Sequence, residues 1–513
     1  MDRAGHFAAI DLGAASGRVM LARWDGVRFA LEERHRFPNG PVTVGGHRHW
    51  DVLRLWGEIK AGLGRCANPA AGRLLGVGVD TWGVDFALLD RAGRLLGDPY
   101  HYRDRRTDGI PELAYERVSR AELYAATGIQ PMQINALFQL YSMVRVGDPQ
   151  LDAAAVILPI PNLFTHWLGG GPVAEYTHAT TTQCLDASTR WWAVGILDQL
   201  GIRVDIFPPV VEPGTRLAPM RRDVADELGL ADRPGVFAVG CHDTASAVAA
   251  IPDLGPRSVY ISSGTWSLMG VETAQPVISE SSRDLAFSNE GGVAGTIRLL
   301  KSIAGLWLVQ ECRNRWQVEG SEHGWDELLA LAEQAPPFGP LIDPDSPAFL
   351  SPDDMPAAIR AACLASGQYA PQSVGEVVRC CLESLAVRYR ATLEEIESLV
   401  GHRIDTIHIV GGGSRNRLLC QLTADACARP VVAGPAEAAA LGNVMVQAIA
   451  AGELSGVAEG RAAVGASVTR EAYEPRSGGR WDEALARLRD LTPRVTTSAP
   501  RPADGTPPPP SAR

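Results

Sequence analysis

The chain writes one short pattern twice. Phe7-Ala-Ala-Ile10 is an apolar run that breaks into small residues at 11–17 and resumes at Val19-Met-Leu-Ala22, and Val259-Tyr-Ile-Ser-Ser-Gly-Thr-Trp-Ser-Leu-Met269 repeats the arrangement. Each reads as a β-hairpin with a small polar turn. Two hairpins of one design, with Pro252 to Pro256 as a linker signal, constrain the fold to two halves built alike. The expected domains are 1–251 and 252–490, followed by a Pro-rich tail, 491–513, that is expected to be disordered.

The segments between the hairpins alternate. After a third strand at 27–37 and Pro/Gly punctuation at 38–46, helical spacing runs over 52–63. Strands follow at 74–79 and 84–89, a mainly helical stretch covers 121–145, and a Thr-rich loop or cavity lining covers 175–186. Strand 236–240 then delivers Val239-Gly-Cys-His-Asp-Thr-Ala-Ser-Ala247 to its far end, where ligands bind in α/β sheets. The second half adds a long helix at 374–400, the strand Ile407-His-Ile-Val410 and a small-residue helix at 437–451. The class is α/β.

Charge and cysteine content exclude several functions. A net charge of -11 argues against a nucleic-acid binder, yet backbone N–H groups in small-residue turns hold phosphates without a basic patch. Nine cysteines with no C-x-x-C pair offer no zinc site, and no apolar run has the length of a signal-peptide core or membrane span. The expectation is a cytoplasmic protein with reduced thiols and no membrane partner.

Familiar nucleotide motifs fail. Gly76 and Gly78 lie inside a strand, so no dinucleotide fingerprint is completed, and the segment 295–302 lacks the second glycine of a Walker A loop. Three small-residue turns at strand ends remain: 11–17, 262–265 and 411–416. Together they suggest ATP gripped in a cleft, with its phosphates between Gly13 to Gly17 and Thr265, adenosine over Gly411 and Gly412, and Asn416 offering its amide. Asp11 is the candidate Mg²⁺ contact. Asp243 has two readings: an N-cap for the Ala-rich helix that follows, or a general base with one oxygen free.

Residues in the same order appear in a known family. Asp11-Leu-Gly, Asp80-Thr-Trp-Gly-Val-Asp-Phe86, Tyr102-Arg-Asp-x-Arg-Thr107, Ala179-Thr-Thr-Thr-Gln183, His242-Asp-Thr-Ala-Ser-Ala247, Gly264-Thr265, Asn289-Glu-Gly-Gly292, Gly305-Leu-Trp-Leu308 and Gly411-Gly-Gly-x-x-Asn416 resemble the FGGY carbohydrate kinases over roughly residues 7 to 490. The resemblance implies two actin-like (ribonuclease H-like) ATPase domains with an interdomain catalytic cleft. It further implies transfer of the ATP γ-phosphoryl group to the C1 hydroxyl of L-rhamnulose, with Asp243 as proton acceptor. Carried over by position, Ala14, Ala15, Ser16, Gly17, Arg18 and Thr265 match phosphate-side ATP contacts, and Gln310 and Gly412 match other nucleotide contacts. Gly83, His242, Asp243 and Thr244 match sugar contacts.

One sugar position departs from the pattern: Ser302 stands where the family has asparagine. Serine keeps a hydrogen bond with shorter reach, so a related ketose, L-fuculose or L-xylulose, is the alternative substrate. A non-catalytic sugar-binding regulator on the same scaffold is the alternative of another class. The resemblance also implies a disulfide position at Cys363 and Cys380, at odds with a reducing cytosol.

Overall fold

The computed structural model describes residues 5–67 and 73–492. Its first sheet contains β1 (Gly5–Leu12), β2 (Ser16–Trp24), β3 (Phe29–Pro38), β4 (Leu74–Thr81), β5 (Thr215–Pro219) and β6 (Gly235–Ala238), in the order β3-β2-β1-β4-β6-β5. The second contains β7 (Ser258–Ser263), β8 (Trp266–Thr273), β9 (Ser288–Gly291), β10 (Ile297–Ala304), β11 (Thr406–Val410), β12 (Val431–Ala433) and β13 (Glu471–Tyr473). Its order is β9-β10-β8-β7-β11-β12-β13. With β9 set aside, both sheets run antiparallel, antiparallel, parallel, parallel, antiparallel across six strands. The repeated hairpins are therefore the visible part of a repeated sheet.

Strand β1 is buried throughout because both its faces are covered. Ala8, Ile10 and Leu12 join the core that contains Val52, Leu55, Ile59 and Leu63 of helix α1 (Val52–Cys66), while Phe7 and Ala9 pack in a second core on the opposite face. Asp51 starts α1 by accepting the Arg54 N–H at 2.9 Å. Helix α2 (Asp243–Ala249) leads to the linker. In the second half, α3 (Trp307–Val318), α4 (Val374–Val400) and α5 (Arg417–Cys427) share one large core.

Helix α6 (Ala438–Ala450) crosses the expected boundary. It follows β12 in the chain, yet Val444, Met445 and Ala448 pack with Phe7 and Ala9 of the first sheet. Gly76 and Gly78 admit it: a Cβ at Gly78 would stand 2.6 Å from Asn443 Oδ1, and one at Gly76 would stand 2.7 Å from Gln447 Oε1. Gln447 Nε2 then donates to the Ala8 carbonyl at 2.9 Å, and Asn443 Nδ2 donates to Asp80 at 2.6 Å. The two glycines serve packing of a helix that is remote in sequence.

Three local expectations change. The punctuation at 38–46 holds a strand, Pro41–Val44, paired with His47–Trp50. The stretch 121–145 is two helices, Arg120–Thr127 and Ala136–Val146, separated at Gly128, whose φ is +66°. The Thr-rich loop contains a buried helix, Tyr176–Thr181, in which Thr180 and Thr181 hydroxyls donate to carbonyls three residues back. The tail at 491–513 lies outside the described residues beyond Thr492.

Candidate active site

A cavity of about 420 Å³ lies at the carboxyl ends of β1, β7 and β11. Asp11, Ala14, Ala15, Ser16, Arg18, Gly83, His242, Asp243, Thr244, Thr265, Ser302, Gln310 and Gly412 all line it. The three small-residue turns, separate in sequence, thus share one cavity. Gly17 and Asn416 stand off its wall. A Cβ at Gly17 would run into the Phe37 ring, and Asn416 uses its Oδ1 to cap α5, accepting the Leu419 N–H at 2.9 Å.

Asp243 is not the N-cap. His242 holds that position and makes no side-chain cap bond, while Asp243 opens the helix. Its Oδ1 accepts the Thr244 N–H at 2.5 Å and the Thr244 hydroxyl at 3.1 Å. Oδ2 has no partner among the described residues, and the side chain keeps 31% exposure at the cavity. Desolvation by burial pushes the carboxyl above its ordinary value; His242 and the Thr244 bonds oppose that shift, and nearby Asp11 adds to it. The chain before Asp243 is pinned: Cys241 N–H donates to Glu175 at 3.0 Å and His242 N–H to Thr177 Oγ1 at 3.2 Å. One oxygen is fixed and the other faces the cavity, the geometry that a general base needs.

Asp11, Arg18 and Asp80 stand abreast on β1, β2 and β4. Arg18 is held between Asp11, at 2.5 Å, and Glu437. Its guanidinium is thus engaged by carboxylates and not displayed alone to a phosphate. Asp80 is fully buried with Oδ1 unpartnered, and burial, then Asp11, push its carboxyl well above the usual range. No three His, Cys, Asp or Glu side chains among the described residues converge as a metal cage. Asp11, one of the carboxylates that line the cavity, is enough for magnesium, which keeps several waters and takes its other ligands from substrate phosphates.

Opposite these residues, Thr265 Oγ1 donates to Gln310 Oε1 at 3.2 Å, which joins two of the expected nucleotide contacts. Gly412 has open space around its Cα, in keeping with a flat surface for a base. At the sugar end, Val84 adopts φ +69°, strained for a β-branched residue, and its N–H donates to Thr181 at 2.9 Å. Asp85 is buried beneath the site. It accepts from Trp50 Nε1, Trp82 Nε1 and Gln139 Nε2, and so braces Trp82, whose ring lies 3.9 Å from that of Trp50. Glu175, Thr180, Gln183 and Asn289 line no part of the cavity.

Sequence reasoning missed two carboxylates, Glu290 and Glu437. Glu290 lines the cavity and pairs with buried Arg298 at 3.0 Å and with His242 Nδ1 at 3.1 Å. Glu437, besides holding Arg18, pairs with Arg415 at 2.7 Å. Glu290 lay inside the Asn289-to-Gly292 motif, but its partners are fixed by strand register, where Glu290 faces Arg298. All nine cysteines are buried free thiols, Cys363 and Cys380 included.

Two similar lobes enclosing a cavity lined by small-residue turns and a carboxylate have the parts of a phosphotransferase site. Models of the N-terminal and C-terminal domains of the FGGY family of carbohydrate kinases match residues 7–250 and 259–451. The chain belongs to the FGGY family of carbohydrate kinases and is a sugar kinase. It is similar to a rhamnulokinase of Bacteroides thetaiotaomicron, 45% identical over 94% of this chain and 99% of the relative, and to one of Enterococcus faecalis, 40% identical over 91% and 94%. Among solved structures it is similar in fold to a gluconate kinase from Lactobacillus acidophilus, with TM-score 0.75, 16% identity and coverage of 95% and 96%. Plasmodium falciparum glycerol kinase with ADP also gives TM-score 0.75, at 14% identity with coverage of 95% and 97%.

Proposed function

We propose that this kinase transfers the γ-phosphoryl group of ATP to the C1 hydroxyl of L-rhamnulose, forming L-rhamnulose 1-phosphate and ADP in L-rhamnose breakdown. The observation that carries the mechanism is the divided Asp243 carboxylate, with Oδ1 fixed by Thr244 and Oδ2 open to the cavity. Oδ2 takes the hydroxyl proton as the sugar oxygen bonds to the γ-phosphorus and the bond to the β-bridging oxygen breaks. Its raised basicity favours that transfer at neutral pH. The rhamnulokinase relatives, similar over nearly the whole chain, support the sugar assignment.

Gly83, His242, Thr244 and Ser302 form the sugar side in this reading. The 14–16 turn, Thr265, Gln310 and Gly412 form the nucleotide side. Arg18 contributes by holding Asp11 and Glu437. Bound magnesium supplies charge neutralisation on the phosphates, and Asp11 is the residue that would hold it. Among the described residues no helix is long and apolar enough to cross a membrane. The reading assigns the enzyme to the cytoplasm, which nine free buried thiols support.

The test is sugar-dependent ADP release across L-rhamnulose, L-fuculose and L-xylulose. The reading expects the highest kcat/KM on L-rhamnulose. A clear preference for either other ketose transfers the assignment to that sugar, for which the shorter reach of Ser302 is the structural reason.

A further inference from the structure

Glu290 projects from β9 directly opposite Arg298 on β10. Arg298 is completely buried, so an anionic neighbour is required, and neutralising that charge is the plain role of Glu290. The geometry exceeds that role. A counter-ion placed only for charge frequently offers both oxygens to the guanidinium fork, and although Arg298 Nε is taken by the Gly291 carbonyl at 2.9 Å, Nη1 and Nη2 remain for such a pair. Here a single bond runs from Arg298 Nη2 to Glu290 Oε2 at 3.0 Å, and Arg298 Nη1 is left without a partner. Glu290 Oε1 makes no hydrogen bond among the described residues, and the residue lines the cavity.

The bound oxygen has a second neighbour. His242 Nδ1 lies 3.1 Å from Glu290 Oε2 and 3.1 Å from Arg298 Nη2, which fixes the imidazole plane, and His242 Nε2 lies 3.4 Å from Asp243 Oδ1. Arg298, Glu290, His242 and Asp243 thus form one chain of contacts from buried strand to cavity. Arg298 and Ser302 share one face of β10, four residues apart, so Glu290 and Ser302 line the cavity from the same face of the second sheet.

We propose that Glu290 is a specificity-determining residue for the sugar: Oε1 accepts a ketose hydroxyl beyond the one that Asp243 deprotonates, while Oε2 holds Arg298 Nη2, which in turn donates to His242 Nδ1. The inference rests on the ketose-kinase reading. A carboxylate accepts from a hydroxyl by a charge-assisted bond, and its removal weakens the sugar by ~10- to ~100-fold. In Glu290→Gln the Arg298 guanidinium draws the amide oxygen to itself and leaves an NH₂ group at the cavity. The variant keeps shape and reverses hydrogen-bond polarity at that position.

The experiment measures kcat and KM for sugar and ATP in the wild type, Glu290→Gln and Glu290→Asp, each with whichever of the three ketoses the wild type uses best. Glu290→Asp keeps the charge beside Arg298 and retracts the carboxylate, so it answers the question should Glu290→Gln not fold. The expected result is a sugar KM raised at least ~10-fold in each folded variant, with the ATP KM within about 2-fold. Unchanged sugar KM in a folded variant, or equal rises for sugar and ATP, would overturn the proposal and leave the wild-type sugar preference standing. A wild type without ketose-dependent ADP release would overturn the ketose-kinase reading and this inference with it.

Discussion

Arg103 reaches across the cleft to Trp307: its guanidinium carbon lies 4.4 Å from the Trp307 ring centroid, and it also lies 5.6 Å from that of Trp266. Its Nη1 donates to the Leu350 carbonyl at 3.1 Å. Arg103 belongs to the first half of the chain and Trp266, Trp307 and Leu350 to the second, so these contacts join the lobes beside Tyr102 and Trp266, both of which line the cavity. A cation–π contact contributes roughly 0.5–2 kcal/mol and the hydrogen bond about 1 kcal/mol.

Arg103→Ala is therefore expected to loosen closure. The ratio of sugar-independent ATP hydrolysis to sugar phosphorylation should rise about 10-fold, because an open cleft admits water to the γ-phosphate. Parallel ADP-release assays with and without sugar measure it. An unchanged ratio would show that Arg103 does not help to close the lobes.

Gly442 on α6 passes Ser246 on α2 so closely that a Cβ would collide with the Ser246 carbonyl oxygen. Alanine favours a helix over glycine by about 1 kcal/mol, but overpacking costs about 1–3 kcal/mol and here meets backbone that a rotamer change cannot relieve, so packing decides. Gly442→Ala should lower thermal stability and, by displacing the helix that begins with Asp243, reduce kcat at least ~10-fold. Thermal melts with kinetics check both effects.

The raised carboxyl of Asp243 makes two pH predictions. The base acts ionised, so kcat/KM should fall with acidification along an acid limb whose midpoint lies above the ordinary aspartate value of about 3.9. A carboxyl raised in the folded state contributes stability that is present below its unfolded pKa and lost as pH rises through its folded pKa. Asp243→Asn should consequently melt higher than wild type at neutral pH, with the difference shrinking in acid.

Ser302 lines the cavity, and asparagine is the residue that the family resemblance leads one to expect there. Ser302→Asn should lower the KM for L-rhamnulose roughly 3- to 10-fold, the yield of one additional neutral hydrogen bond. A ketose titration of both proteins measures it, and a higher KM would mean that the serine is matched to a different sugar.

Elements with strong local periodicity were legible in the chain. The helix at 374–400 has the bounds read from sequence, and both hairpins stand where the apolar runs place them. The small-residue turns and Asp243 were legible because small size and position at strand ends are local properties. Gly76 and Gly78 were not, because the helix that needs them lies far along the chain. Glu290 carried no meaning until strand register placed Arg298 opposite it. The capping use of Asn416 was not legible either: a residue suited to nucleotide contact is equally suited to capping, and the start of α5 uses its Oδ1 so.

The central claim is that Asp243 removes the sugar proton. Its most direct test is steady-state ADP release with L-rhamnulose by wild type and Asp243→Asn. The account predicts a fall in kcat of at least ~100-fold with KM values little changed, since the amide keeps the shape and loses the base. Turnover by Asp243→Asn at the wild-type rate would contradict it.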